Sequence, residues 1–392
     1  MISLTRVFVL GLGMASVAPR FLDAQSCITS RIYQRGNIHN WTSSSRSEGD
    51  ETTTMRIRRG DCELRLDAHG KFVARPDLRA LDRVDDYVEI EERSGDHNHR
   101  VRVTNKGGAL DYRWTVDGNN GFDVDRDRWL ADMLLAVERM TGSMARTRVP
   151  ALLKAGGVDA VLDETALLAS DYAKRVYLMQ LFANAKLTEN QSDRMLRMAA
   201  DSISSDYERA ELVIALAAQG TMNDRLARGV ITVAQRMSSD YEKRRAVSAA
   251  INAVASPPAR VALFEVATTM SSDYERAELL IAAQQRSFVD SVSAAQYFRA
   301  VEKMSSDYER RRTLSALLDQ HPTSLAILSG VLQASQSISS DYELATLLVQ
   351  FASVTPVRGE LRTLYLKATR SISSDSEYRR ALQALLEQDR SA

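Results

Sequence analysis

Along the second half of the chain, apolar residues return at intervals of three and four. Leu226, Val230, Val233 and Met237 form one such stripe. Leu263, Val266 and Met270 form another, and Ile327, Val331, Ala334 and Ile338 a third. That period places the side chains on one face of an α-helix. Tyr207, Ala210, Ile214 and Ala217 make a comparable stripe on a helix expected from Glu208 to Gln219, broken by Gly220-Thr221. Between residues 55 and 121 the pattern changes to alternation. Met55 to Arg58, Cys62 to Asp67, Tyr87 to Glu92, Arg100 to Thr104 and Leu110 to Val116 alternate apolar and polar residues, as half-buried strands do. Turn residues separate them at Ser94-Gly95-Asp96, Asn105 to Gly108 and Asp117 to Gly121. A small antiparallel β domain spanning 55–121 is expected. The many charges on its strands imply that one face is solvated.

One phrase punctuates the helical half. It reads Ser205-Asp206-Tyr207-Glu208, then Ser239-Asp240-Tyr241-Glu242, Ser272-Asp273-Tyr274-Glu275, Ser306-Asp307-Tyr308-Glu309 and Ser340-Asp341-Tyr342-Glu343. Ser170-Asp171-Tyr172 is an earlier variant, and the last copy, at Asp375, carries an extra residue before Tyr378. The aspartates at 171, 206, 240, 273, 307, 341 and 375 are spaced by 35, 34, 33, 34, 34 and 34 residues. A period of this size corresponds to one αα-hairpin per unit, stacked into a HEAT- or TPR-like solenoid over 169–392. Within each phrase the serine is expected to cap the helix and the glutamate three residues on to return the bond, as a capping box. Asp206 and Glu208 also set negative charge at the positive end of the helix dipole, and the tyrosines are expected to interlock between units. Pro257, Pro258, Pro322 and Pro356 all fall between the two helices of a unit, where a helix must begin anyway. Residues 122–168 lack the phrase. They are expected to form N-terminal capping helices, at Asp127 to Arg139, Val149 to Ala155 and Val158 to Leu168, while Tyr378 to Gln388 closes the array. The fold class expected is α+β.

The first 24 residues change where this protein is expected to work. Arg6 precedes an apolar run from Val7 to Ala18 that is too short to span a bilayer, and Ala24 offers a small residue at a cleavage site. A cleaved export signal is expected, with an uncleaved anchor as the alternative. Periplasmic or secreted localisation follows, with no membrane span after cleavage. Residues 25–54 are polar, and Thr42 to Thr54 are expected to be flexible. The two cysteines, Cys27 and Cys62, are either a disulfide, contributing about 3–4 kcal/mol in an oxidising compartment, or two separate thiols.

Composition excludes more than it assigns. Lys and Arg number 51 and Asp and Glu number 51, so the formal net charge is zero and nothing suggests a nucleic-acid partner. Apolar residues make up 44% of the chain, enough for a substantial core. His97 and His99 lie on one side of an extended segment, but no ligand cluster accompanies them, so a solvated hairpin tip is weighed above a metal site. Asp117 to Gly121 followed by Asp123, Asp125 and Asp127 resembles a calcium-loop fragment. Phe122 stands where the EF-hand needs glycine, which favours a hairpin turn and an acidic helix entry. Arg209, Lys243, Arg276 and Arg310 recur after the tyrosines; preceded by acids, they suggest a salt-bridged surface rather than an anion-binding groove. No cofactor is expected, and no catalytic motif is present. The Asp-Tyr-Glu run itself is better explained by capping and packing, because a catalytic group need not recur in every unit.

The layout resembles a group of exported bacterial proteins of uncharacterised activity. The resemblance covers about residues 85 to 385. It rests on the Tyr-x-x-Ile-Glu-Glu-Arg segment at Tyr87 to Arg93, the Asp117-Gly118 turn, the Trp129 helix and the Ser-Asp-Tyr-Glu repeats. Similar segments are appended to membrane metallopeptidases of the β-lactam-sensor type, whose zinc motif and membrane helices are absent from this sequence. The resemblance implies at most a role beside such sensors and carries over no catalytic residue. The function expected is a non-catalytic scaffold or adaptor binding a protein or peptide. An accessory or sensory component of an envelope pathway and a hydrolase with an unrecognised site are the alternatives.

Overall fold

The computed structural model describes residues 39–47, 50–254, 256–285 and 289–391. The export-signal segment, 1–24, and Cys27 lie outside them. Two compact units divide between Ala136 and Val137.

In the first unit a seven-stranded antiparallel sheet has the order β1-β2-β3-β6-β7-β8-β9, and β4 and β5 pair separately. The strands are β1 (His39–Ser47), β2 (Asp50–Arg59), β3 (Cys62–His69), β4 (Phe72–Ala74), β5 (Leu81–Val84), β6 (Tyr87–Ser94), β7 (His97–Lys106), β8 (Ala109–Val116) and β9 (Asn119–Asn120). All five alternating segments are strands. Pairing begins earlier than expected, because β1 and the start of β2 occupy the segment expected to be polar and flexible. Thr-rich sequence is compatible with a strand, and only its lack of apolar alternation hid it. Register explains the alternation: Met55, Leu66, Ile90 and Val101 lie opposite one another across four strands and are all buried. The opposite face carries Arg56, Arg65, Arg100 and Arg102 with Glu63, Glu89 and Glu91, in pairs such as Arg56–Glu63 at 2.8 Å. Helix α1 (Arg126–Thr141) opens on Asp125, whose carboxylate accepts the Arg128 amide. Trp129 is buried among Trp114, Phe122 and His99, and its indole N–H donates to Glu92 Oε2 at 2.6 Å.

From Val137 onward the second unit is a helical repeat array. Helix α2 (Ala145–Leu167) breaks at Gly156 and Gly157, in agreement with the two short helices expected there. The first helices of the seven units are α3 (Asp171–Asn184), α5 (Asp206–Ala217), α7 (Asp240–Ile251), α9 (Asp273–Gln284), α11 (Asp307–Leu318), α13 (Asp341–Val354) and α15 (Asp375–Ser391). Second helices alternate with them: α4 (Glu189–Ser202), α6 (Asp224–Gln235), α8 (Pro257–Thr268), α10 (Ala294–Glu302), α12 (Leu325–Ser335) and α14 (Gly359–Thr369). Consecutive first helices pack side by side, and so do consecutive second helices, giving two layers around one continuous apolar core. Close packing of the second layer needs glycine twice, since a Cβ at Gly229 would fall on Leu196 and one at Gly330 on Phe298.

Serine caps occur where expected. Ser170, Ser205, Ser239, Ser272, Ser306 and Ser340 each accept the amide three residues on. The last unit differs from the expectation. Its helix starts at Asp375 in the register of the others, so Ser376 replaces the tyrosine and no residue is inserted.

Candidate interaction surface

The motif aspartates do something a dipole argument misses: each reaches forward into the next unit. Asp206 Oδ2 accepts the amides of Ser238 and Ser239, both at 2.8 Å, and the Ser238 hydroxyl. The same arrangement links Asp171 to Ser204-Ser205, Asp240 to Ser271-Ser272 and Asp273 to Ser305-Ser306. Asp307 and Asp341 hold the two amides that follow them in the same way. Burial alone would push the Asp171, Asp206, Asp240 and Asp273 carboxyls up. The serine donors outweigh it and hold all four below the usual carboxylate range.

This latch corrects the capping box. Only its serine half is present in the motif, because the N-cap amide is already taken by the preceding unit's aspartate. The freed glutamates join a second ladder, which alternates from unit to unit. Four residues after the aspartate, the first, third, fifth and seventh units carry Arg175, Arg244, Arg311 and Arg379, where the others carry Ala210, Ala277 and Ala345. Arg175, Arg244 and Arg311 reach forward to Glu208, Glu275 and Glu343. One residue further on, Arg245 and Arg312 reach back to Glu211 and Glu278 at 2.7 and 2.6 Å, and Arg380 reaches back to Thr346. Every junction between units is therefore bridged by a guanidinium from an odd-numbered unit.

The tyrosines overturn a second expectation. They do not interlock: Tyr172, Tyr207, Tyr241, Tyr274, Tyr308 and Tyr342 are each more than half exposed. The buried face of α5 is instead Ala210, Leu212, Val213 and Leu216. Tyr207 sits in the first turn, where about half of its amphipathic side chain is exposed at the surface. A guanidinium stands over each ring. Arg175, Arg244 and Arg311 lie 5.1, 5.2 and 5.2 Å from the centroids of their own units' Tyr172, Tyr241 and Tyr308. Arg245, Arg312 and Arg380 lie 5.8, 5.6 and 5.2 Å from Tyr207, Tyr274 and Tyr342 of the unit before. The result is one row of six aromatic rings, each held by an arginine that a carboxylate or hydroxyl holds in turn.

Arg209, Lys243, Arg276 and Arg310 are paired as expected, each with the aspartate three residues before it. They are not a surface, however. Lys243, Arg276 and Arg310 are buried, and Arg276 and Arg310 donate to the carbonyls of Met270 and Met304 at the ends of second helices. Elsewhere, His97 pairs with Asp117 and His99 with Asp123, each histidine on its own carboxylate. Among the described residues no group of three or more His, Cys, Asp or Glu is placed to hold a metal. Asp125 serves as the α1 cap. Cys62 is buried and is not a free thiol. An open cavity of about 660 Å³ beside α4 and α6 is lined by Glu189, Asn223, Asp224, Arg225 and Arg228, with Arg225 tied to Glu189 and Asp193. No described helix is long and apolar enough to cross a membrane. One buried carboxylate has no signal in the sequence, since Glu138 looks like any charged position of a helix. Glu138 is fully buried, accepting the Tyr177 hydroxyl at 2.6 Å and the Met144 amide at 2.7 Å, and burial pushes its carboxyl up to about 7.

No family model, curated protein or solved structure matches this chain.

Proposed function

We propose that this protein is an exported, non-catalytic scaffold or adaptor that binds a protein or peptide partner along the tyrosine row of its helical array. The observation that carries the proposal is the row itself: six half-exposed tyrosines at one motif position, each under a guanidinium. Tyrosine and arginine are, with tryptophan, the residues enriched among those that dominate binding energy at protein interfaces. Rings already held by paired arginines lose little conformational freedom when a partner covers them. A repeated surface of this kind suits an extended partner that meets several units at once. The pattern of residues 1–24 supports a setting in the periplasm or outside the cell.

The test replaces Tyr207, Tyr274 or Tyr342 with a photo-crosslinking phenylalanine in the full chain and irradiates intact cells. One protein captured from all three positions, and no longer captured by a chain with serine at those positions, is the expected result. Capture that is absent, or that persists in the serine variant, would overturn the proposal.

A further inference from the structure

We infer that the solvent face of the β domain's sheet docks on an anionic membrane surface, its arginines meeting the phosphates of the lipid headgroups. This inference is independent of the tyrosine row.

Three register rows make up the middle of that face. One runs Thr54, Asp67, Glu89, Arg102 and Arg113 across β2, β3, β6, β7 and β8. The next runs Arg56, Arg65, Glu91, Arg100 and Thr115, and the third Arg58, Glu63, Arg93 and Asn98. Seven arginines thus share the rows with four carboxylates, and each of the five strands carries at least one arginine. This excess of positive charge is local, because the chain as a whole has a formal net charge of zero.

Depth matters more than number. Arg56 pairs with Glu63, Arg65 with Asp67, Arg93 with Glu91, and Arg100 and Arg102 with Glu89. In these pairs the arginine side chains stay 38–53% exposed, whereas the carboxylate side chains keep only 7–26%. The acids are shorter and lie nearer the backbone, and the guanidiniums cover them on long stems. A guanidinium has five donors and a bidentate carboxylate takes two, so donors are left over for a second anion. The other two arginines, Arg58 and Arg113, are exposed and hold only the Gly60 carbonyl and the Asn120 side-chain oxygen. An approaching anion therefore meets guanidinium before it meets carboxylate.

The layout of the charges selects the partner. Five neighbouring strands and three rows spread them over an area of about 19 Å by about 14 Å. A pattern extended in two dimensions matches a layer of anions, whereas a single polyanion chain would lie along one row. Phosphate suits the guanidinium, which can meet it through two parallel bonds. A nucleic acid would also need open rings on which to stack its bases. Tyr87, in the adjoining row, already carries Arg102 over its ring at 3.9 Å and stacks on His69. Thr54, Thr115 and Asn98 complete the three rows, so the face offers no apolar side chain to insert into the bilayer. Attachment is therefore electrostatic and confined to the headgroups.

The test is co-sedimentation of the full chain with vesicles of phosphatidylcholine, pure or containing one-third phosphatidylglycerol. At low salt the chain is expected to pellet with the anionic vesicles and not with the neutral ones. Physiological salt should weaken the binding. Arg58→Glu with Arg113→Glu should weaken it roughly tenfold or more. Neither arginine holds a carboxylate, so the melting temperature of this double variant should stay that of the parent chain. Arg228→Glu with Arg299→Glu, at exposed positions of the helical array, makes the same change in net charge and should leave binding intact. The inference is overturned if the chain does not bind anionic vesicles at low salt. It is equally overturned if the Arg58 and Arg113 variant binds as well as the parent, or if the Arg228 and Arg299 variant loses as much. Binding to dextran sulfate or single-stranded DNA without binding to vesicles would overturn it too, by making a polymer the partner.

Discussion

The carboxylate of Asp206 and the amide of Ser239 lie 2.8 Å apart, although a whole helical hairpin separates them in the chain. With the Ser238 amide and hydroxyl on the same oxygen, one side chain fixes the entry of the next unit's helix. Asp206→Ala leaves these amides without their acceptor and is expected to destabilise the protein by about 1–3 kcal/mol. Ser239→Ala removes only the cap and is expected to cost about 0.5–2 kcal/mol. Urea midpoints of the two variants measure both effects, and an unshifted midpoint for Asp206→Ala would remove the latch from the account.

Acid should open the array through the same groups. Asp171, Asp206, Asp240 and Asp273 are held below the ordinary carboxylate value near 4, so the stability they supply is complete above that value. It is lost as pH falls through their depressed native values. Melting temperature should therefore drop steeply below about pH 4. An Asp240→Asn, Asp273→Asn double variant should show a shallower drop between pH 6 and pH 3.

Glu138 works in the opposite sense. With a carboxyl raised to about 7 by burial, the folded chain holds a proton there that the unfolded chain releases. Its contribution is fully present below the unfolded value near 4.3 and is lost as pH rises through about 7. Glu138→Gln should flatten the fall in melting temperature between pH 5 and pH 8. An identical slope in the variant would show that the carboxyl does not take up this proton.

The alternating charges can be read by exchange. Arg245→Glu sets like charges at Glu211 and at Glu242, and is expected to destabilise by about 0.5–1 kcal/mol for these partly exposed pairs. Adding Glu211→Arg restores an opposite pair across the junction, and a double variant more stable than Arg245→Glu alone is the outcome expected from a double-mutant cycle.

Two sets of tyrosines should respond differently to truncation. Tyr241→Ala and Tyr308→Ala are expected to change stability by less than about 1 kcal/mol, because the rings are half exposed. Tyr365→Ala is expected to cost about 3–5 kcal/mol, since Tyr365 is buried and its hydroxyl donates to the Ala381 carbonyl at 2.8 Å.

What the sequence disclosed was what repeats locally. The spacing of the aspartates gave seven units, and Ser239 and Ser272 could be read as caps because their partners are three residues away. Asp206 could not be read as a latch, because its partners lie 32 and 33 residues on and a first-turn aspartate already has a dipole to explain it. Tyr207 is ambiguous for a related reason: an amphipathic ring fits an apolar stripe and a wet surface equally well, and here it is half exposed. The alternation of Arg244 with Ala277 is present in the sequence, but its meaning lies in a pairing with Glu275 of the next unit that no single copy contains. In the β domain the register followed from Met55, Leu66 and Ile90, whereas β1 had no apolar alternation to announce it.

The arginine ladder also limits how such a chain can change in length. Losing one unit, for example that of Asp273, would bring Arg245 and Arg312 to neighbouring units and leave the backward-reaching arginine facing another arginine. Losing two consecutive units restores every donor to an acceptor. The smallest neutral step in the growth or shrinkage of this array is therefore a pair of hairpins, so heritable duplications and deletions should keep its parity.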